Sequence, residues 1–563
     1  MSMVDVSAEP APSRSFDLRL VCAVWLSLLA FGAIAAPMPA VNEPHYLCKA
    51  KHFWQHAWCA KDFFLESPNA HTVFYVAVGW LTRWLSLAQT AWIARAMAAL
   101  VLAVGWASLT SRLLAARWSP LAACWLFLAF ASCGNLSGEW LVGGVEGKVF
   151  SYGFLFASLG QVLRDRIVLA GALAGLALSF HPVVGAWGVL AFAGGSLLQR
   201  GVRSAERGAK EQLPSASLTV PCRSALRAPR SALALTLLAV LSLPGLIPVV
   251  LLLLEPAPAA TKYSATYLQV YYRLAHHLDP MLFPLHAYAG YAVLLVLGVF
   301  LSRGESPAAE RRLFRRIVGW SVLFAFAGLL IGWGPRPANL MPYFDERMHL
   351  LKFYPFRLAD VLVPLAVSIA ALGWLERKCG EPDQNSESAS KTVSGAANGA
   401  EPGGLRPPLR KQMTGVGLCA LLFVLALGRA HSNVEVNRYS GEFRADWISA
   451  CRWIDKHLPA DVLVQAPHNG WAFKWFAGRA EYVAFKDCPQ DAAGIVEWNR
   501  RLLFLKKWYE DRYVDQFYSA DELRGLRRET GITHLLTDRL GPLELEPVYR
   551  NETFQVYDLS SLD

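Results

Sequence analysis

Charge is scarce in this chain. Asp, Glu, Lys and Arg supply 17% of its 563 residues, against 54% for hydrophobic types. An ordinary soluble domain carries roughly 25% charged residues, so that class is excluded. The ten cysteines contain no CxxC pair, the spacing that zinc and dithiol redox sites use. Cys48 and Cys59 share one polar loop and Cys451 and Cys488 share the C-terminal segment. Either pair could be bridged in an oxidising compartment, and the other cysteines read as buried thiols. The C-terminal stretch has no nucleophile motif, no metal-ligand spacing and no glycine-rich phosphate loop. A second active site is therefore not expected there.

What is abundant is apolar sequence in long blocks. Runs of about 18 apolar residues mark membrane-spanning helices, and such blocks recur between residues 18 and 430. The net charge of +10 is concentrated in a few places, among them Arg200, Arg203, Arg207, Arg311, Arg312 and Arg315. Basic residues bunched beside apolar spans are the positive-inside signal, so these loops are assigned to the cytoplasm and nucleic acid is not a partner. The fold expected is mainly α, a polytopic membrane helix bundle of about 11–13 spans, with a small C-terminal α/β domain. The N-terminus, 1–17, is cytoplasmic. The first block is read as a retained helix, with a cleaved secretory signal as the alternative. The membrane part, 18–430, has outer loops at 37–70, 255–286 and 334–357, a cytoplasmic loop at 201–230 and a cytoplasmic linker at 376–412. Low-complexity sequence makes 201–230 and 380–408 flexible. A span is expected at 71–87. Counted against the charge rule, 92–148 has one span too few or too many, and a re-entrant or surface helix is expected near 136–145. Residues 431–563 form the α/β domain, with strands at 462–465, 482–485 and 534–537; it faces the periplasm if the last span runs outward.

The first outer loop reads Asn42-Glu43-Pro44-His45-Tyr46 and then Trp58-Cys59-Ala60-Lys61-Asp62-Phe63-Phe64. An acidic residue just after the first span, a Tyr three positions on and a second acid before aromatics resemble the first external loop of GT-C glycosyltransferases. Glu43 matches the second position of the Asp-Glu pair of protein mannosyltransferases and aminoarabinose transferases; Asn42 departs from the first. Asp62 matches an Asp-aromatic element of other bacterial branches. The resemblance implies a multi-spanning enzyme of the bacterial inner membrane that takes a sugar from a polyprenyl-phosphate donor to a glycan, lipid or protein acceptor. Glu43 or Asp62 would be its catalytic acid.

The chemistry stands beside the resemblance. Transfer to a hydroxyl needs a carboxylate to accept its proton and positive charge to stabilise the departing phosphate. Arg357, entering a span beside Asp360, is the first phosphate candidate, with Lys352 and Arg347 behind it; the plainer alternative is an internal Arg357–Asp360 pair. Glu146 and Lys148 lie at a glycine-flanked span mouth, and with Tyr46 and His181 complete the substrate-binding set; an interfacial ion pair and a helix breaker are the plainer accounts of Glu146–Lys148 and of His181. His52 and His56, four apart, can hold a divalent metal, the one cofactor considered, or belong to an aromatic belt. The rival functions are a transporter or flippase of a lipid-linked or small anionic solute, for which Pro244 and Pro248 within one span speak, and a polysaccharide polymerase or ligase.

Overall fold

The computed structural model describes residues 17–211, 227–303, 307–380, 407–431, 441–467, 470–512, 517–538 and 540–562. After α1 (Leu18–Ala35) come three short helices, α2 (Glu43–Trp54), α3 (Phe63–Glu66) and α4 (Thr72–Ala77). Then follow α5 (Leu87–Leu113), α6 (Ser119–Cys133), α7 (Gly147–Val162), α8 (Ile167–Phe180) and α9 (Pro182–Glu211). α10 (Arg227–Leu253) leads through α11 (Ala259–Tyr267) and α12 (Ala275–Leu278) to α13 (Leu285–Leu301) and α14 (Ala309–Gly332). The short α15 (Phe344–Leu351) precedes α16 (Arg357–Gly380) and α17 (Pro407–His431).

Five of these helices are long and apolar enough to cross a membrane, and α6, α8, α9, α13 and α17 contain shorter apolar helices. These are ten apolar helices among the described residues, and α7, a largely buried helix of 16 residues, packs with them. In hydrocarbon every backbone N–H and C=O must be satisfied within the segment, which a helix does and a loop does not. The protein is a multi-pass membrane protein. α1 packs into the bundle, burying Val21, Val24 and Leu28, and Trp25 Nε1 donates to the Ala96 carbonyl of α5.

Two sequence expectations fail here. Residues 71–87 are not a span: α4 ends at Ala77 and a 3-10 turn covers Gly79–Arg83. Gly79 lies so close to α2 that a Cβ there would meet the Ala50 Cβ at 2.7 Å, so the segment folds back over α2. Residues 136–145 are not a helix either, but part of the irregular loop 134–146. Gly138 sits there at φ +77°, a conformation glycine tolerates. Without a span at 71–87, the parity conflict over 92–148 disappears. Loops 36–86, 134–146, 254–284 and 333–356 then share one end of the bundle. The basic segments gather at the other, where Arg112 pairs with Glu310 at 3.1 Å and Arg377 donates to the Leu301 carbonyl. α9 continues as helix to Glu211, into the stretch expected to be flexible. Residues 212–226 and 381–406 lie outside the described residues.

The C-terminal part comprises α18 (Gly441–His457), β1 (Leu463–Gln465), α19 (Phe473–Ala477), β2 (Ala480–Glu481), α20 (Ala492–Arg512), α21 (Ala520–Thr530), β3 (His534–Thr537), β4 (Tyr549–Arg550) and β5 (Gln555–Asp558). The sheet order is β2-β1-β3-β5-β4. β1 runs parallel to β2 and β3, and β5 antiparallel to β3 and β4. The strand expected at 482–485 forms two residues earlier, where the Gly478 turn (φ +57°) starts it. One core cluster contains Trp447, Cys451, Val464 and Phe554; the other contains Trp498, Tyr518, Leu535 and Tyr557. Cys451 and Cys488 belong to different clusters and are free. Cys48 and Cys59 are also free, each buried in the membrane core cluster, so neither expected bridge forms.

Candidate functional site

Asp360, one turn inside α16, organises the loop before α7. Its carboxylate accepts from Leu136 N (2.9 Å), Ser137 N (2.9 Å) and Ser137 Oγ (2.7 Å). These bonds replace the helical partners of the loop amides and hold 136–139 against α16. Asp360 is thus committed to the loop, and the Arg357–Asp360 pair is not formed. Arg357 turns to Glu139 instead, with Nε 3.1 Å from Oε2. Its Nη1 lies 3.3 Å from His181 Nε2, and its guanidinium carbon 4.0 Å from the centre of the Tyr354 ring. Tyr354 holds that position at φ +55°, a strained backbone for a bulky residue.

Lys148, at the start of α7, completes the cluster. Its Nζ lies 3.6 Å from Glu139 Oε2, 3.7 Å from Glu146 Oε1 and 3.9 Å from the Trp140 ring centre. Glu146 Oε1 also accepts from Asn42 Nδ2 at 2.7 Å, which ties the cluster to the first loop. Tyr46 stands edge-on to His71, and His71 is 6.0 Å from His181 between ring centres. Burial holds the His71 imidazole down to about 3, so it is neutral, and its Nδ1 has no partner. The structure therefore gathers Arg357, Glu146, Lys148, His181 and Tyr46 from four separate segments. Two cations and two carboxylates lie together at the mouths of apolar helices, which makes the cluster a functional-site candidate. Sequence reading missed Glu139 and noted Asn42 and Asp360 without giving them a place in the site; the clue for Glu139 was an acid beside Trp140 in a glycine-punctuated apolar stretch.

Glu43 sits directly behind this cluster but is saturated. Arg95 of α5 grips it with two bonds, Nε–Oε1 at 2.6 Å and Nη2–Oε2 at 2.8 Å. Ala40 N (2.7 Å) and Val145 N (3.0 Å) donate to its remaining lone pairs. Arg95 also donates to the Ala36 carbonyl at the end of α1. Glu43 is fully buried and staples α1, α2, α5 and the loop before Glu146.

Asp62 is equally committed. It caps α3 through Leu65 N, accepts from Glu481 N at 2.9 Å and pairs with Lys474 at 3.3 Å. Lys474 also reaches Glu481 (3.0 Å) and Asp487 (2.7 Å), and Asp487 holds His45 at 3.0 Å. This buried cluster joins the C-terminal part to the first loop. Burial raises Glu481 to about 7 against the pull of Lys474, whereas Lys474 and His45 hold Asp487 below the usual carboxylate range. Lys49 nearby donates to the Phe64 carbonyl and Ser67 Oγ, and burial lowers it to about 8.

The remaining candidates lie elsewhere. Arg347 donates to the Ile331 and Trp333 carbonyls and so closes the C-terminal end of α14. Lys352 follows α15, its amine depressed by burial. His52 engages the Trp58 carbonyl through Nδ1 (2.8 Å), with Nε2 3.4 Å from Glu66, and stands edge-on to His56. Among the described residues no group of three or more His, Cys, Asp or Glu is arranged to hold a metal.

A family model described as a domain of unknown function, DUF6798, matches residues 445–504. No curated protein matches the sequence. Among solved structures, the chain is similar to ArnT from Cupriavidus metallidurans bound to undecaprenyl phosphate, at 13% identity and a TM-score of 0.46, over 97% of this chain and 98% of that one. It is also similar to the oligosaccharyltransferase AglB from Archaeoglobus fulgidus in complex with an inhibitory peptide and a dolichol-phosphate. There the identity is 11% and the TM-score 0.36, over 92% of this chain and 69% of that one.

Proposed function

We propose that the protein is a membrane glycosyltransferase of the GT-C type, moving a sugar from a polyprenyl-phosphate donor to a hydroxyl-bearing acceptor at the end of the bundle that carries the α/β domain. The observation that supports it is the convergence of Arg357 and Lys148 on one point, flanked by Glu139 and Glu146, at the ends of apolar helices. Guanidinium and ammonium groups held at membrane depth suit a phosphate brought there by a lipid. In this reading Arg357 and Lys148 stabilise the leaving phosphate as the anomeric C–O bond breaks. Glu146, oriented by Asn42, takes the proton from the acceptor hydroxyl. Tyr46 and His181 line the sugar position. Glu43 and Asp62 become structural supports, since buried protein donors already meet both oxygens of each carboxylate.

In this reading the end opposite the basic segments, with the α/β domain, is the periplasmic face of a bacterial inner membrane; the positive-inside rule supports the non-cytoplasmic side. The carrier alternative draws no support from α10, which continues as helix past Pro244 and Pro248 where a transporter would use a broken helix. The test is purified protein in lipid nanodiscs, given polyprenyl-phosphate sugars with and without a divalent metal, with release of polyprenyl phosphate as readout. Glu146→Gln should lose at least about 100-fold in turnover, the scale of general-base removal, and retain donor binding. Unchanged turnover in Glu146→Gln would remove it as the base.

A further inference from the structure

Two Arg–Glu pairs lie buried side by side in this protein, and they are built differently. The Arg95–Glu43 pair is bidentate, with both bonds at 2.8 Å or less and all carboxylate directions filled. The Arg357–Glu139 contact is single. Arg357 Nε is 3.1 Å from Oε2 yet makes no hydrogen bond there, and Glu139 Oε1 is buried without a partner. Lys148 stays beyond hydrogen-bond distance of both carboxylates. A buried carboxylate with an empty oxygen, beside a lysine that reaches neither carboxylate and an arginine that spends Nη1 on His181 but leaves Nε unbonded, is an unfinished arrangement.

We infer that the Glu139 side chain is a built-in counter-ion occupying the seat of the donor's phosphate, and that it leaves Arg357 and Lys148 when a lipid-borne phosphate arrives. The backbone is already fixed for such a swing. Asp360 accepts from Leu136 N, Ser137 N and, at 3.4 Å, Glu139 N, while Asn135 Nδ2 donates to the Glu139 carbonyl. Only the side chain has to rotate. Glu146 does not share this role: Asn42 holds it, and it contacts Lys148 alone among the two cations. No bond is made or broken in the exchange. A neutral resting site then becomes a phosphate-filled one with two cations engaged.

The inference rests on the transferase reading, and binding measurements separate the two. Undecaprenyl phosphate is titrated into nanodisc-held wild type, Glu139→Gln, Glu146→Gln and Arg357→Ala. Glu139→Gln should bind about tenfold tighter, because it no longer competes for Arg357, a step of about 1.4 kcal/mol. Glu146→Gln removes the same charge at a comparable distance from Lys148, 3.7 Å against 3.6 Å, and should gain no more than about threefold. Arg357→Ala should bind weakly. Glu139→Ala serves in place of Glu139→Gln if the latter misfolds. Equal gains from Glu139→Gln and Glu146→Gln, or weaker binding by Glu139→Gln, overturn the displacement. Wild type and Arg357→Ala that bind alike, or not at all, overturn the transferase reading with it. Inorganic phosphate at matched concentration should leave lipid binding unaltered; competition by it would reassign the seat to free phosphate.

Discussion

Arg95→Met tests the claim that Glu43 is a staple. The substitution removes two charge-assisted bonds, of 2.6 and 2.8 Å, from a carboxylate with no access to solvent, and the bond to the Ala36 carbonyl as well. Breaking one side of a buried pair costs about 3–5 kcal/mol. Ala40 N and Val145 N still donate to Glu43, which places the expected loss near the lower bound, at about 3 kcal/mol. Glu43→Gln leaves Arg95 with one strong acceptor and should cost about as much. In the double variant neither charge is left alone, so the two losses should fall short of additive by about 2 kcal/mol. Unfolding of purified protein in nanodiscs would measure all four species. Turnover per folded molecule in Glu43→Gln should stay within about tenfold of wild type, since general-base loss would cost 100-fold or more. A Glu43→Gln variant that unfolds like wild type but transfers no sugar would refute the reasoning and return Glu43 to catalysis.

The other expectations follow from the same contacts. Lys474→Met leaves Asp62, Glu481 and Asp487 facing one another in a buried space; hydrogen exchange in 473–487 and 62–70 should rise together, and a rise in only one segment would deny the coupling. The C-terminal contact should also respond to pH. Glu481 is raised to about 7 from the ordinary carboxyl value of 4.5, so the folded form binds its proton more tightly. Its contribution is complete below 4.5 and disappears as pH rises to 7. The stability of wild type relative to Glu481→Gln should fall between pH 5 and 7.5, and a flat difference would contradict it. Asp360→Asn weakens the anchorage of 136–139 by about 1–3 kcal/mol and should lower donor affinity more than it lowers turnover at saturation. Arg347→Ala, whose wild-type side chain spends its bonds on the Ile331 and Trp333 carbonyls and the Met341 sulfur, should leave donor affinity within about twofold.

The sequence makes the bundle legible because apolar runs are local. It also points to Arg357, Glu146 and Lys148, since charge at a span mouth is rare enough to notice. The failed span at 71–87 and the failed helix at 136–145 share one cause. Residues 71–87 have the hydropathy of a span, but Gly79 presses them onto α2, a contact absent from any local pattern. Residues 136–145 are apolar enough for a helix, yet their amides bond to Asp360, over 220 positions away. Glu43 and Asp62 drew attention as loop acids; their saturation depends on Arg95, Val145, Lys474 and Glu481, which only the fold brings near. Arg95 itself was visible as an arginine inside an apolar helix, and that signal was the one to follow.

The central claim is that Arg357 and Lys148 receive the phosphate of a lipid-linked sugar donor. It is tested most directly by incubating purified wild type and Arg357→Ala with a polyprenyl-phosphate sugar and an acceptor, and counting released polyprenyl phosphate. The account predicts release by wild type and loss of at least about 100-fold in Arg357→Ala. Release that persists at wild-type rate in the variant contradicts it.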